Sequence, residues 1–477
     1  MESINEVISL SSEILLENMK SEEYQQDLII AIFYKYLSNK IEKENNKKLF
    51  KYNINFQEAF DDENNEFYGK KIKEESLKEL GYFIKPENLY TNIITNKNIL
   101  LKMDNAIKEI EFQDKKLSNL FTDINFQNLE INEETFKEVL KSIDSINFKD
   151  NDQFNDLMKS LMKKSYTPPE ISLLLSKIVY MKNKILNNVY DAACGSCSTL
   201  LKLKENQEVI NYYGQEFDKT NYTIGIINLI MHDILPKNIH IYHEDSTISQ
   251  RQLPLMDTIV SHPPFLKKWA ASKELLKEKR FRNYKKLPPK SKADFAFIET
   301  MIFNLKKDGI MAVAIPQGVL FRANAEKEIR KNFILNNYID CVIGLPEKIF
   351  YKNIPTCIIV FKKNRDKNED ILFIDASQYY EKSNSLNNLR NSDIDRIVET
   401  YRNKEEIEKY SHLASTQEIL NNDYNLNIKL YVNTYQQKDK IDVSETLEEI
   451  NKIEKKIKSL NAEQKLLIDQ IINYPNN

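Results

Sequence analysis

Asp191-Ala192-Ala193-Cys194-Gly195-Ser196-Cys197 decides how this chain folds. A short apolar run ending Val189-Tyr190-Asp191 leads into it, and the helix-like Ser198-Thr199-Leu200-Leu201-Lys202-Leu203 leads out. Strand, tight acidic-glycine turn and helix, in that order, open a nucleotide-type binding sheet. The glycine carries weight because glycine is scarce. The 477 residues hold eight, six of them between Gly195 and Gly344, against a usual share of about 7 per cent. In such a chain a retained glycine marks a sharp backbone turn or a place where no side chain fits.

Further along, short β-branched runs alternate with longer helical stretches: Val209 to Phe217, Ile239 to His243, Asp257 to Val260, Ile310 to Ile315, Tyr338 to Ile343 and Cys357 to Phe361. Strands separated by helices predict a parallel α/β sheet, here within residues 151–380. Residues 1–150 predict a mostly helical domain. Leu15, Met19, Ile29, Phe33, Tyr36, Leu37 and Ile41 recur there at helical spacing, and Pro86 is its only proline. Residues 381–477 read as a polar, irregular extension that ends in a heptad run, Ile450, Ile453, Ile457, Leu460, Gln464, Leu467 and Ile471. Alternating steps of three and four fit a coiled-coil seam with one polar break. They also fit an amphipathic helix packed on its own domain. A stripe of three heptads at a chain end favours a partner helix.

Charged residues make up 29% of the chain, yet the net charge is only −3. A protein that grips duplex DNA unaided is more often strongly basic. Near-neutrality points to a small-molecule enzyme, or to one subunit of a complex that shares its grip on nucleic acid. Four scattered cysteines are too few for a disulfide framework and suit a reducing cytosol, so a cytoplasmic protein is expected. No stretch approaches the roughly 18 apolar residues of a membrane span, and Leu28-Ile29-Ile30-Ala31-Ile32-Phe33 reads as buried helix. The first residues lack the basic-then-apolar pattern of a leader.

Four elements follow one another as a cofactor-binding sheet would supply them. The first is the loop at residues 191–197. Gly214-Gln215-Glu216-Phe217-Asp218 end the second strand, with Glu216 placed 25 residues after Asp191. A carboxylate there suits two ribose hydroxyls. Glu244-Asp245-Ser246 end the third strand, where Asp245 suits an exocyclic amine. Asp257-Thr258-Ile259-Val260-Ser261-His262-Pro263-Pro264-Phe265 end the fourth. Its two prolines fix a rigid turn with exposed carbonyls, and Phe265 offers a flat stacking face. The G-x-G-x-x-G pattern of dinucleotide enzymes is absent, and a paired-proline-aromatic turn serves recognition of a planar group rather than hydride transfer.

These residues resemble the modification subunit of type I restriction–modification systems, an adenine-N6 DNA methyltransferase. The family's D-P-A-C-G-S-G is similar to Asp191 to Cys197, its Y-T-P to Tyr166-Thr167-Pro168, and its catalytic N-P-P-F to His262-Pro263-Pro264-Phe265. The likeness continues through Lys290-Ser291-Lys292-Ala293-Asp294-Phe295, Ile315-Pro316-Gln317-Gly318, Ile354-Pro355-Thr356-Cys357 and Asn422-Asp423-Tyr424-Asn425. It spans nearly the whole chain. The resemblance implies a Rossmann-like methyltransferase core with an N-terminal helical domain and a C-terminal helical tail. It implies S-adenosyl-L-methionine as cofactor, held by Tyr166, Thr167, Pro168, Glu170, Asp191, Ala193, Gly195, Ser196, Glu216 and Asp245. The implied partners are DNA, a specificity subunit, a second copy of the chain and a restriction subunit.

In that family the target adenine is swung out of the duplex. A side-chain oxygen and a proline carbonyl draw its amine protons out of plane, so catalysis is positioning and electrostatics. His262, Pro263, Pro264 and Phe265 stand at those places here. Two departures matter. His262 replaces an amide, and a neutral imidazole offers one acceptor nitrogen while a protonated one offers none. Cys197 replaces a glycine, where a positive φ would be strained. A methyl-transferring subunit and a catalytically weak, structural subunit of the same complex both fit. A small-molecule or protein methyltransferase is disfavoured by a basic run beside Phe265: residues 267–292 hold eleven Lys or Arg against two carboxylates. From this run Lys267, Lys268, Arg280, Arg282, Lys285, Lys286, Lys290 and Lys292 are the expected phosphate contacts. Cys194 and Cys197 form a C-x-x-C that the cofactor loop explains, so no metal is expected. Cys341 and Cys357 read as core, Trp269 as packing, and Glu170 equally as a cofactor ligand or a helix start.

Overall fold

The computed structural model of the protein describes residues 24–61, 66–113, 117, 120–121, 124–128, 131–146, 148, 167–284, 286–350, 353–366, 369–383, 386–433 and 443–472. The chain divides into two compact units, Met1–Val432 and Asn433–Asn477.

The described part of the first unit includes helices α1 (Tyr24–Leu49), α2 (Glu66–Glu79), α3 (Ile99–Lys108) and α4 (Glu133–Asp144). Two short antiparallel strands, β1 (Tyr82–Phe83) and β2 (Glu111–Phe112), lie among them. The apolar run at residues 28–33 is buried inside α1, as its composition predicts. Lys35 is buried too. Its ammonium donates to the Ile143 carbonyl at 3.0 Å and pairs with Asp144 Oδ1 at 3.0 Å. A cation is favourable there because the last carbonyls of α4 lack partners within their own helix.

Among the described residues nine strands form the central sheet: β3 (Leu186–Asp191), β4 (Val209–Glu216), β5 (Ile239–His243), β6 (Met256–Ser261), β7 (Leu305–Pro316), β8 (Ile339–Gly344), β9 (Thr356–Lys362), β10 (Ile371–Asp375) and β11 (Ser411–Ala414). Their spatial order is β11-β10-β8-β9-β7-β6-β3-β4-β5. Strand β9 runs antiparallel to β7 and β8, and β11 antiparallel to β10; the other pairs are parallel.

Successive side chains enter opposite cores, as the pleat requires. Val189, Val260, Ala312 and Ala314 face α5 (Pro169–Ile178), α6 (Ser198–Asn206), α7 (Lys219–Met231) and α10 (Asn391–Asn403). Tyr190, Ile259, Met311 and Val313 face α8 (Asp294–Asn304) and α9 (Ala325–Leu335). Burial on both faces explains why the inner strands are apolar throughout rather than alternating. Chain order reverses at β3, which has β4 on one side and β6 on the other. Such a switch point opens a crevice beyond the strands' carboxyl ends.

Sheet and helix continue past the boundary expected near residue 380. Strand β11 pairs with β10, and α10 packs beside α5 through Lys177–Asp395, at 2.7 Å. The polar composition of this region had masked the short edge strand β11 and helix α10. The second unit contains α11 (Val443–Ile472), on which Ile450, Ile453, Ile457, Leu460 and Leu467 are all exposed. The Ile471 side chain lies outside the described residues.

Candidate active site

Hydrogen bonds pin the 191–197 loop at many of its backbone groups. The Ser246 hydroxyl donates to the Ala192 carbonyl (2.7 Å), the Ala193 amide to Asp191 Oδ1 (3.0 Å) and the Cys194 amide to the Gln215 carbonyl (3.1 Å). The Gly195 amide donates to Glu216 Oε2 (3.0 Å), Asn228 Nδ2 to the Ser196 carbonyl (2.7 Å), and the Cys197 amide to the Cys194 carbonyl (2.7 Å). These bonds hold the loop's shape from several sides.

Gly195 has φ +50°, and a Cβ added there would meet nothing within 4 Å, so the space over the loop is open. Cys197 starts α6 at φ 60°, the left-handed region anticipated for it. Its sulfur finds room because Gly225 of α7 lacks a side chain: a Cβ there would approach Cys197 Sγ to 2.9 Å and the Gly195 carbonyl to 2.6 Å. All four cysteines are buried. The hydrogen bond with Cys197, and then burial, hold the Cys194 thiol well above its usual range, which disfavours its reactive thiolate. Among the described residues no group of His, Cys, Asp and Glu could hold a metal ion.

The Pro263 corner follows β6, next to β3, so both loops leave the same end of the sheet. The Ser261 hydroxyl donates to Asp191 Oδ1 at 2.6 Å and ties them together. Leu266 takes φ 55° and donates its amide to Asp294 Oδ1 at 3.2 Å. Phe265 is buried and packs edge-on to His262 (ring centroids 4.9 Å apart) and to Phe350 (5.3 Å). Phe350 also lies against the His262 ring at 4.5 Å. Thr167 Oγ1 stands 3.1 Å from His262 Nδ1. Phe350 escaped the sequence reading; the one hint was its position just ahead of Ile354-Pro355-Thr356. Tyr166 lies outside the described residues. Pro168 caps α5 and Glu170 sits in its first turn, whose Ser172 hydroxyl meets that of Thr199 on α6 at 3.3 Å.

Three carboxylates surround the loop. Burial pushes the Asp191 carboxyl up to about 7, against the opposing effect of the Ser261 hydrogen bond. Burial also raises that of Glu216, despite the Asp218 and Gly195 amides it accepts. For Asp245 burial is outweighed: the Thr247 hydrogen bonds and Lys267 hold it below the usual range. A hollow of about 480 Å³ is lined by Glu244, Asp245, Ile248, Ser249, Gln250 and Arg251.

The basic run divides. It forms a loop closed at its base by Ala293 N–H to the Lys267 carbonyl (2.8 Å) and Trp269 N–H to the Lys290 carbonyl (3.0 Å). Lys268, Arg282, Lys286 and Lys290 are exposed, and Lys292 is half-buried. Lys267 turns inward, its ammonium 3.2 Å from Asp245 Oδ2 and 4.5 Å over the Phe217 ring. Arg280 is buried, donating to the Ser246 carbonyl (2.7 Å) and Thr300 Oγ1 (3.1 Å), so it braces the Asp245 turn instead of facing solvent. Lys285 lies outside the described residues. Trp269 is buried, its indole donating to the Pro289 carbonyl, and Cys341 and Cys357 are core.

The N-6 DNA Methylase family profile matches residues 152–440, and that of the HsdM N-terminal domain matches residues 5–143. The chain belongs to the N-6 DNA methylases, among the type I restriction–modification methylase subunits. This methylase is 30% identical to the type I restriction enzyme MpnII methylase subunit of Mycoplasma pneumoniae, over 94% of its own length and 92% of that protein's. The crystal structure of a type I restriction-modification system methyltransferase subunit from Streptococcus thermophilus superimposes with a TM-score of 0.83 at 30% identity. It covers 91% of this methylase and 100% of that chain. A putative type I modification subunit from Vibrio vulnificus shares the fold, at a TM-score of 0.61, 14% identity and coverage of 87% and 92%. Among the described residues of the methylase, no helix is long and apolar enough to cross a membrane.

Proposed function

We propose that this chain methylates the N6 amine of an adenine swung out of duplex DNA, working as one subunit of a type I restriction–modification assembly. The observation that carries the reading is the adjacency of the two loops: open space over Gly195, and the Pro263–Phe265 corner tied to it through Ser261 and Asp191. The residues around Gly195 fit S-adenosyl-L-methionine. Glu216 beside the Gly195 amide is available to ribose hydroxyls, Asp245 to the adenine amine, and Ala193, Ser196, Thr167, Pro168 and Glu170 to the methionine end; the family resemblance adds Tyr166 to that group. When bound, this cofactor supplies an electrophilic methyl group on a sulfonium. The protein's part is then to orient the target. The Pro263 carbonyl and the His262 ring accept the amine's two protons, Phe265 and Pro264 shape the base slot, and a dry pocket strengthens both interactions.

Exposed Lys268, Arg282, Lys286 and Lys290 supply phosphate contacts beside the slot. The division expected from the sequence gives the remaining parts their roles. Residues 1–150 and the exposed stripe of α11 meet a specificity subunit that reads the DNA, with a second copy and a restriction subunit completing the assembly. The test is calorimetry with S-adenosylmethionine, followed by mass spectrometry of duplex DNA treated with the reconstituted complex. N6-methyladenine is expected; cofactor binding without methylated base would reject the reading.

One observation favours a second reading, a subunit that assembles but does not transfer methyl. Phe350 lies against both His262 and Phe265, so a base must displace it. Binding without transfer, restored by His262→Asn, would establish that alternative.

A further inference from the structure

An imidazole carries its single neutral proton on one ring nitrogen, and the partner of the other nitrogen decides which. A free histidine favours the proton on Nε2, which makes that nitrogen a donor. A histidine that must accept an amine proton through Nε2 therefore needs Nδ1–H held in place. Thr167 Oγ1, 3.1 Å from His262 Nδ1, is the group that can hold it.

The threonine is itself well constrained. It precedes Pro168, which restricts it to extended backbone, and its β-branch limits χ1. The Phe350 ring at 4.5 Å and the Phe265 ring at 4.9 Å confine the imidazole from two other directions. The Thr167–His262 contact thus joins the end of β6 to the turn before α5.

We propose that Thr167 is a positioning residue: it accepts the His262 Nδ1 proton, fixes the tautomer with Nε2 as acceptor, and so makes His262 a proton-accepting base for the target amine. The proposal rests on the function argued above. As the N6–methyl bond forms, the sulfur–methyl bond breaks and the sulfonium becomes a neutral thioether. The methylated N6 then carries the positive charge and releases one proton, which His262 Nε2 takes before passing it to water. An amide oxygen in this position can orient the amine but is too weakly basic to keep that proton.

Once protonated, an imidazole offers no acceptor nitrogen, so activity should fall on the acid side. Charged groups stand on each neighbouring element, with Lys267 and Lys268 just past the Pro263 corner and Lys352 shortly after Phe350 in the sequence. Asp191 lies behind Ser261, Glu170 is in the first turn of α5, and Glu347 and Lys348 are exposed on the loop between β8 and β9.

The chain has only five histidines, so 15N-histidine NMR of the full-length protein, assigned with His262→Asn, reads the tautomer directly. The expected result is a pyrrole-type Nδ1 and a pyridine-type Nε2 at pH 8, reversed by Thr167→Val and retained by Thr167→Ser. A pyridine-type Nδ1 in the unaltered protein would overturn the proposal whatever the activity. In the reconstituted complex, Thr167→Val should lower kcat roughly tenfold at saturating cofactor, with Thr167→Ser near normal and the acid limb absent in His262→Asn. Equal kcat and pH profiles for the Thr167 variants would likewise reject the positioning role. Cofactor binding without methylated adenine at any pH would instead reject the underlying function, since the tautomer is read independently.

Discussion

The Ser261 hydroxyl donates a 2.6 Å hydrogen bond to Asp191 Oδ1, joining the last residue of β6 to the last residue of β3. These strands flank the point where the order of the sheet reverses. One bond therefore couples the loop that would carry the methyl donor to the corner that would carry the base, and both of its partners are buried.

Ser261→Ala leaves a buried carboxylate short of one donor, a loss of about 1–3 kcal/mol in folding stability. The destabilisation should be larger at pH 8, where Asp191 is ionised, than at pH 5, where it holds its own proton. Urea denaturation at the two pH values measures the difference, and equal losses would mean the bond does not depend on the charge of Asp191.

Asp191 also predicts a proton linkage. Its carboxyl titrates near 7 in the fold, above the unfolded value, so it favours the fold at low pH and ceases to as pH rises through 7. A cationic ligand on the Gly195 loop stabilises the ionised form. S-adenosylmethionine binding at pH 6 should therefore release part of a proton, seen as a dependence of the calorimetric enthalpy on buffer ionisation. Binding at pH 9, or to Asp191→Asn, should release none.

Gly225→Ala should destabilise the protein by about 1–3 kcal/mol, because its Cβ would press on the Gly195 carbonyl and Cys197 Sγ. Cys197→Gly relieves the left-handed strain, and in the double variant should recover part of the loss, leaving the clash with the carbonyl. A double-mutant cycle by thermal denaturation measures the coupling. Strict additivity would show that the sulfur does not fill the space left by Gly225.

The basic loop should split into two phenotypes. Lys268→Ala, Arg282→Ala and Lys290→Ala should each weaken DNA binding by the complex and reduce its salt slope by about 1. Lys267→Met should instead weaken cofactor binding several-fold through Asp245 and leave the salt slope unchanged. Fluorescence anisotropy across a salt series, beside cofactor titration, separates them. A full unit of salt slope lost in Lys267→Met would return it to the phosphate contacts.

Much of this arrangement was legible in the sequence because scarcity made the signal clear. With so few glycines, Gly195 marked the loop, and the strand ends at Glu216, His243 and Ser261, just before Asp245 and His262, followed from short β-branched runs. Strands β10 and β11 were not legible: Ile371 to Asp375 is a five-residue run and Ser411 to Ala414 is shorter still, both amid polar residues. Nor could spacing alone distinguish Lys267 and Arg280 from the other cations of their run. Lys267 is drawn inward by Asp245 and the Phe217 ring, and Arg280 by the Ser246 carbonyl and Thr300, partners that only tertiary packing supplies. Phe350 reaches Phe265 from a distant loop, a contact no local pattern encodes.

The account's central claim is a single pocket shared by Gly195 and the Pro263–Phe265 corner. A structure of the complex with S-adenosylhomocysteine and target duplex tests it most directly. The account predicts the cofactor product over Gly195 with Glu216 on its ribose, Phe350 moved off the His262 ring, and an extruded adenine at Pro263. Product bound elsewhere would contradict it. One such place is the cavity of about 490 Å³ at the opposite end of the sheet, lined by Tyr180, Arg365 and Arg402. An adenine still stacked in the duplex beside an undisturbed Phe350 would contradict it equally.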